Sequence, residues 1–400
     1  VLADWGSNSL NLIGVIIMNI QTTLAPRVAQ NLNALSAFLK GDLTSINQYT
    51  GWGGLRDAIY DKKVFCHLKH NLRLSELEIQ SIKKTFKSAY FTPSSMVDAV
   101  WVLAQQFLTE TPAHVLEPAV GVGAFIEAMP ASLRGNAQID AVELDLLTAR
   151  MAQAKFKDVR VHCKGFETFE PEYQYDLIIG NPPFGREKVN DLKHADISAF
   201  CIHHYFASKA FRLLKQGGVM IFVLPSFFLD NRSQHVRQIM AGEGAELLTA
   251  FRFPEDMFED AKVTTDIVVI KKTGNKNNAT FTNVAKKVVG DECDYMNTYF
   301  MDNPEHVLGT LAIVPMYDRK GLTCHRTFDP MERFFQLTDQ KSTIIEERLL
   351  LDTLMAECES FIFKHEAELK RLRQRYHDLS ATKARWLVMD TTLKALIRKK

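Results

Sequence analysis

Asn181-Pro182-Pro183-Phe184 follows the apolar run Asp176-Leu177-Ile178-Ile179 and Gly180. A buried strand of that kind delivers an Asn to the carboxyl edge of a sheet, where open α/β folds bind ligands. The two prolines remove backbone donors and stiffen the turn. What remains is a pair of acceptors, the Asn181 side-chain oxygen and the Pro182 carbonyl. An amino group on an aromatic ring is a poor nucleophile because its lone pair is delocalised. Two acceptors holding its hydrogens draw the nitrogen toward tetrahedral geometry and aim the lone pair at an electrophilic methyl. The proton can leave after transfer, so no strong base is required. Phe184 is placed to stack on the ring. An ordinary Asn-Pro turn is the plain alternative, and a buried strand running directly into the four residues argues against it.

A second constellation lies upstream. Glu117-Pro118-Ala119-Val120-Gly121-Val122-Gly123-Ala124-Phe125 reads as a strand end, a tight glycine turn and a helix start. The glycines let backbone approach a nucleoside, and the helix N-terminus offers free N–H groups. Glu143, about twenty residues on, ends the next strand and can accept both ribose hydroxyls. The third glycine of a dinucleotide-binding turn is missing, since position 126 is Ile. The pattern therefore favours S-adenosylmethionine over NAD. Pro118, Phe125 and Leu144 flank the turn and the strand end and complete this part of the cofactor set. Asp145 reads as a helix N-cap.

With the glycine turn upstream, Asn181–Phe184 resembles the amino-group methyltransferases, in particular the gamma-class N6-adenine DNA methyltransferases of phage and mobile-element type. Tyr90-Phe91-Thr92-Pro93 stands where that class has a segment touching the methionine end of the cofactor, which implies roles for Tyr90, Thr92 and Pro93. Phe253-Pro254-Glu255-Asp256-Met257-Phe258, followed by Val263–Lys271, is similar to the late hairpin that supplies a second aromatic for a flipped base. Phe258 is the choice for that role and Phe253 the alternative. The resemblance implies that Asn181 also touches the cofactor, and it spans residues 85–273. Tyr49-Thr50-Gly51-Trp52-Gly53-Gly54-Leu55 looks like a segment found ahead of methylase domains in phage and mobile-element proteins, with no role attached. One departure stands out: Gly165 occupies the place of the usual acid on the cofactor's adenine, with Glu167, or Phe166 plus backbone, as substitutes.

Elements must position these residues. From residue 113 short β-rich runs alternate with helical ones, the signature of a parallel α/β sheet. Strands are expected at 114–117, 139–143, 159–162, 176–179, 219–224, 247–253 and 265–271. The last loop is too short for a crossover helix, so the last strand is expected to be antiparallel. The expected fold is α/β, a Rossmann-like class I methyltransferase with a mostly parallel seven-stranded sheet and helical regions at both ends. The division reads 1–84 helical, with 1–17 outside the native structure, 85–273 catalytic, 274–330 a linker or irregular region, and 331–400 a helical hairpin. Leu351, Met355, Cys358, Ile362, His365, Leu369 and Leu372 recur at three and four, as on one seam of a paired helix.

Apolar content of 46% with 24% charged residues is that of a globular protein. None of the six cysteines forms a C-x-x-C pair, so no metal site is expected and reduced cytoplasmic thiols are the simplest reading. The Leu10–Ile20 stretch is too short to span a bilayer. Between Lys364 and Lys400 eleven basic residues face four acidic ones, a footprint that fits DNA phosphates or a solvated face; Arg371, Arg373, Arg375, Lys383 and Arg385 are the candidates. The same helices could carry a partner subunit or a dimer contact. Two other readings keep the motif: ribosomal RNA guanine-N2 or release-factor glutamine methylation, and a silent methylase-like subunit that only binds.

Overall fold

A computed structural model describes residues 25–338 apart from the short segments 87–89, 259–260, 275–278 and 317–318. The first 17 residues and nearly all of the expected C-terminal hairpin, with its basic residues and Cys358, lie outside the described residues.

Seven strands form the central sheet: β1 (His114–Glu117), β2 (Gln138–Glu143), β3 (Val159–Cys163), β4 (Tyr175–Gly180), β5 (Leu214–Pro225), β6 (Ala245–Phe253) and β7 (Thr265–Lys272). Their order is β3-β2-β1-β4-β5-β7-β6. β1 to β5 are parallel, and β7 runs antiparallel to both β5 and β6, as expected for a short last connection. The order reverses between β1 and β4, so the crevice at their carboxyl ends is the topological switch point. Glu117 and Gly180-Asn181 sit at that crevice.

Both faces of the sheet are covered, which makes its central strands apolar throughout. Along β5, Val219, Ile221 and Val223 enter one core with α3 (Ser94–Phe107), while Met220, Phe222 and Leu224 enter the other with α5 (Ile202–Leu213). A third core belongs to the N-terminal region. There α1 (Pro26–Leu39), Tyr49, Trp52 and α2 (Glu76–Thr85) pack on Val122 and on Leu147 and Met151 of α4 (Leu146–Lys155). α2 starts in a full capping box between Ser75 and Glu78, which satisfies two otherwise orphaned donors. Asp145 caps α4 by accepting from the Thr148 amide at 2.8 Å, as its position predicts.

Residues 274–330 correct the sequence reading: they are not an irregular linker. β8 (Val284–Val289) pairs with β9 (Glu292–Asn297), and β10 (Thr310–Met316) with β11 (Arg319–His325), each antiparallel. The two-residue turn Gly290-Asp291, with Gly290 at φ +61°, is a hairpin signal in its own right. Both hairpins seat on the far end of the sheet. The Leu308 amide donates to the Arg252 carbonyl at 2.8 Å, and the Glu255 amide to the Cys324 carbonyl at 2.9 Å. Of the expected C-terminal helices, α6 (Pro330–Leu337) is described; its Phe334 packs on Phe251 and Phe253.

Arg252 pins this end of the molecule. It is 1% exposed, donates twice to Asp266 at 2.8 Å and approaches Asp230 at 2.7 Å. Arg252→Ala leaves two buried carboxylates without their cation, and removing one partner of a buried pair costs ~3–5 kcal/mol. The expected result is a large fall in the urea midpoint; an unchanged midpoint would mean that the pair contributes nothing.

Candidate active site at the carboxyl ends of the strands

β4 ends at Gly180, whose φ of +149° and lack of a side chain let the chain pass Glu117: a Cβ there would lie 3.4 Å from the Glu117 Cγ. The next residue, Asn181, donates from Nδ2 to Thr92 Oγ1 at 2.9 Å. That bond joins two motifs 89 positions apart. It also fixes the amide orientation, which leaves Oδ1 buried with no donor. Buried acceptors are nearly always paired, and this one has the position and chemistry to receive an N–H from a ligand.

Glu117 presents the same situation. It is 2% exposed and its Oε2 has no partner. Burial first, and the nearby Glu143 carboxylate second, push its pKa well above the ordinary carboxylate range. An ammonium group would satisfy the oxygen and reverse that shift.

Glu143, at the end of β2, accepts from the Gly121 amide at 2.9 Å and from the Asp145 amide at 2.8 Å. Its pKa rises to about 7, mainly through burial. The glycine turn is thus tied to the acid expected to face the ribose. Gly121 and Gly123 hold φ of +56° and +85°, the region that disfavours side chains, and a Cβ at Gly123 would run into the Phe156 ring. Pro118 is buried beside this turn, and Leu144 is 51% exposed next to Glu143, open to a ligand's flat face.

Tyr90, Thr92 and Pro93 line a cleft of about 560 Å³ with Val122, Ala124 and Met257. The facing wall comes from residues that the sequence left without a role. Tyr49 and Thr50 line it, and so does Arg27, which donates to Thr50 Oγ1 at 3.1 Å; Asn31 Nδ2 donates to the Gly51 carbonyl at 2.6 Å. The Tyr49–Leu55 segment itself was the signal.

Three aromatic assignments need correction. Phe166 is 2% exposed, packed on Phe206 at 4.8 Å between ring centres. Its side chain belongs to the core, so it cannot stack on a cofactor. Phe125 is 3% exposed in the core beneath α3 and contributes its carbonyl to Trp101 Nε1. Phe253 is fully buried against Phe334 and forms no wall of the site. Phe258 does reach the motif: its ring meets Phe184 edge to face, with centroids 6.4 Å apart at 72°. The rings are adjacent but not parallel. A base inserted face to face against both needs ~3.5 Å on each side, so one ring must turn. At Gly165 the Glu167 carboxylate folds back into the space that a side chain there would fill, which puts an acid where the departure had left none.

The residues present fit S-adenosylmethionine: unpaired acceptors at Glu117 and Asn181, an acid bound to a glycine turn, and a cleft beside Thr92. Among the described residues no cluster suits a metal ion, and no helix is long and apolar enough to cross a membrane.

The strand order and the antiparallel β7 are those of the class I methyltransferase fold. Residues 67–258, just under half of the chain, match the family model described as Eco57I restriction-modification methylase. The chain is 25% identical over 213 residues to the type II methyltransferase M.AccI of Acinetobacter calcoaceticus, covering 49% of this chain and 38% of that one. It is 26% identical to M.CvrRI of Paramecium bursaria Chlorella virus XZ-6E, covering 46% and 48%. The chain thus spans less than half the length of these two relatives. A tRNA1(Val) (adenine(37)-N6)-methyltransferase of Flavobacterium johnsoniae is 34% identical over 120 residues, 26% of this chain and 51% of that one. Among solved structures, the type I restriction-modification methyltransferase subunit of Streptococcus thermophilus aligns with a TM-score of 0.44 and 14% identity, covering 85% of this chain and 79% of that one.

Proposed function

We propose that the chain transfers a methyl group from S-adenosylmethionine to N6 of an adenine flipped out of DNA. The observation that carries this reading is the buried, donorless Asn181 Oδ1, held in place by Thr92 at the mouth of β4. A side chain so oriented accepts an N–H, and an exocyclic amine supplies one.

Asn181 Oδ1 and the Pro182 carbonyl hold the two N6 hydrogens and point the lone pair into the cleft; Pro183 keeps the turn rigid. Glu117 would hold the cofactor's ammonium, Glu143 its ribose hydroxyls, and Glu167 its adenine amine; Tyr90, Thr92, Pro93, Gly121 and Gly123 line its path. When bound, the cofactor supplies a methyl on a positively charged sulfur and leaves as a neutral thioether. Held by Asn181 and Pro182, N6 would take that methyl in exchange for its bond to sulfur, and the N6 proton would then pass to solvent. Phe184 and Phe258 offset part of the few kcal/mol that unstacking a base costs.

The family match and the type II relatives support DNA as acceptor; the tRNA relatives support adenine N6 as the atom. Incubation with tritiated cofactor and DNA, RNA or protein tests both. Label in DNA as N6-methyladenine is expected. Label confined to RNA or protein would overturn the acceptor. No label together with no cofactor binding would point to a silent subunit. Contacts from the C-terminal basic residues to phosphates belong to the same proposal. If they occur, affinity for DNA falls steeply with salt.

A further inference from the structure

A second cavity, of about 440 Å³, opens just beyond the catalytic turn. Phe184 and Gly185 line it, whereas Asn181 and Phe258 do not. Its other walls come from Arg186, the start of α5, the loop after β5, Val263, and β9, β10 and β11. It is therefore partly enclosed by the two hairpins that follow the methylase sheet. Nothing in the transfer reaction uses it.

Its lining has the chemistry of a nucleobase site. Phe227 is exposed (38%) for so large an apolar group, and the Arg232 guanidinium lies 4.4 Å from the centre of the Tyr295 ring. Flat aromatic and guanidinium surfaces are what unstacked bases pack on. His203, on the first turn of α5, is 7% exposed and faces this cavity, yet neither ring nitrogen has a hydrogen-bond partner. Burial lowers its pKa to about 4, while the Gly185 backbone, close to the ring but outside good hydrogen-bond geometry, pulls the other way. The ring is therefore neutral at working pH, with one donor and one acceptor to offer. Base edges present the same pairing. The acids in the wall are already engaged: Asp230 by Arg252, and Asp294 by the Leu322 amide. Asp294 keeps its negative charge, and Arg186 and Arg232 are the cations of the same wall.

We propose that this cavity receives the base next to the target adenine, read by His203 and held at its phosphate by Arg232. The proposal rests on the reading of the chain as a DNA adenine methylase. It makes the hairpins a small recognition module, and His203 a specificity residue.

The test uses single-stranded oligonucleotides that differ only in the base beside a fixed adenine. Binding is measured by fluorescence anisotropy, which needs no methyl transfer. Methylation context is measured in parallel by sequencing DNA from a host expressing the 400-residue chain. The wild type is expected to discriminate among the four bases on one side of the adenine. His203→Leu should reduce that discrimination about tenfold. Arg232→Ala, on the exposed rim, should weaken all four oligonucleotides alike and leave their ranking intact. Equal binding of all four by the wild type, or a ranking unchanged in His203→Leu, would overturn the pocket. Absence of N6-methyladenine with His203-dependent discrimination intact would instead sink the methylation reading and keep the pocket. If His203→Leu fails to fold, the wild-type ranking and the Arg232→Ala result still decide.

Discussion

Asn181→Ala is expected to reduce methyl transfer at least ~10²–10³-fold, the scale of losing one preorganised hydrogen-bonding group aimed at a reacting centre. The side chain donates to Thr92 through Nδ2, and in the proposed mechanism its unpartnered Oδ1 holds the acceptor amine. Its removal therefore frees both the lone-pair alignment and the register between the two motifs. Cofactor affinity should stay nearly constant, because Glu117 and Glu143 remain. Single-turnover rates with labelled cofactor, alongside a binding titration, separate the two quantities. Near-normal turnover in the variant would remove Asn181 from the mechanism.

The second large effect belongs to Glu143. It is placed to hold the ribose through two hydrogen bonds to a charged group, each worth ~1.5–3 kcal/mol, so Glu143→Ala should weaken cofactor binding ~100-fold or more. Its pKa of about 7 adds a pH signature. Below that value the acid is protonated and a poorer acceptor, so affinity should rise as pH increases from 6 to 8, and Glu143→Gln should flatten the rise. Stability moves the other way. The folded pKa lies above the ordinary value of 4.5, so the folded state holds this proton more tightly than the unfolded one. That stabilisation is complete below the ordinary value and is lost as pH rises through about 7. In the ligand-free protein the melting temperature should therefore fall over this window, and less so in Glu143→Gln. A pH-independent affinity would show that the carboxylate does not face the ligand.

The strands that carry the site were legible because both faces of the sheet are covered, which writes them as near-continuous apolar runs. β1 matches its expected span, and β4 extends it by one residue at each end. β5 begins five residues before the expected Val219, because the strand starts at Leu214 directly after α5 and runs through Lys215-Gln216-Gly217-Gly218. The placement of Asn181, Thr92 and Glu143 followed from motif order. The direction of aromatic side chains did not. Phe166 and Phe125 were themselves expected to touch the cofactor, yet their rings turn into the two opposing cores. Spacing alone does not encode that choice at a loop. The hairpins of residues 284–325 were missed for another reason. Lys286, Lys287 and Asp294 interrupt the apolar alternation of β8 and β9, and Lys320, Gly321 and Thr323 break up the apolar run of β11 although residues 321–324 are buried.

The contact of Trp52 and Tyr49 with Leu147, Met151 and Val122 bears on how such domains can be cut and recombined. The family match begins at residue 67, so a domain excised there would leave behind the other half of an apolar joint. It would also lose Thr50 and Arg27 from the cleft wall. The transplantable unit reaches back to α1. A fusion built from residue 25 should melt cooperatively, while one built from residue 67 should expose the α4 surface and aggregate.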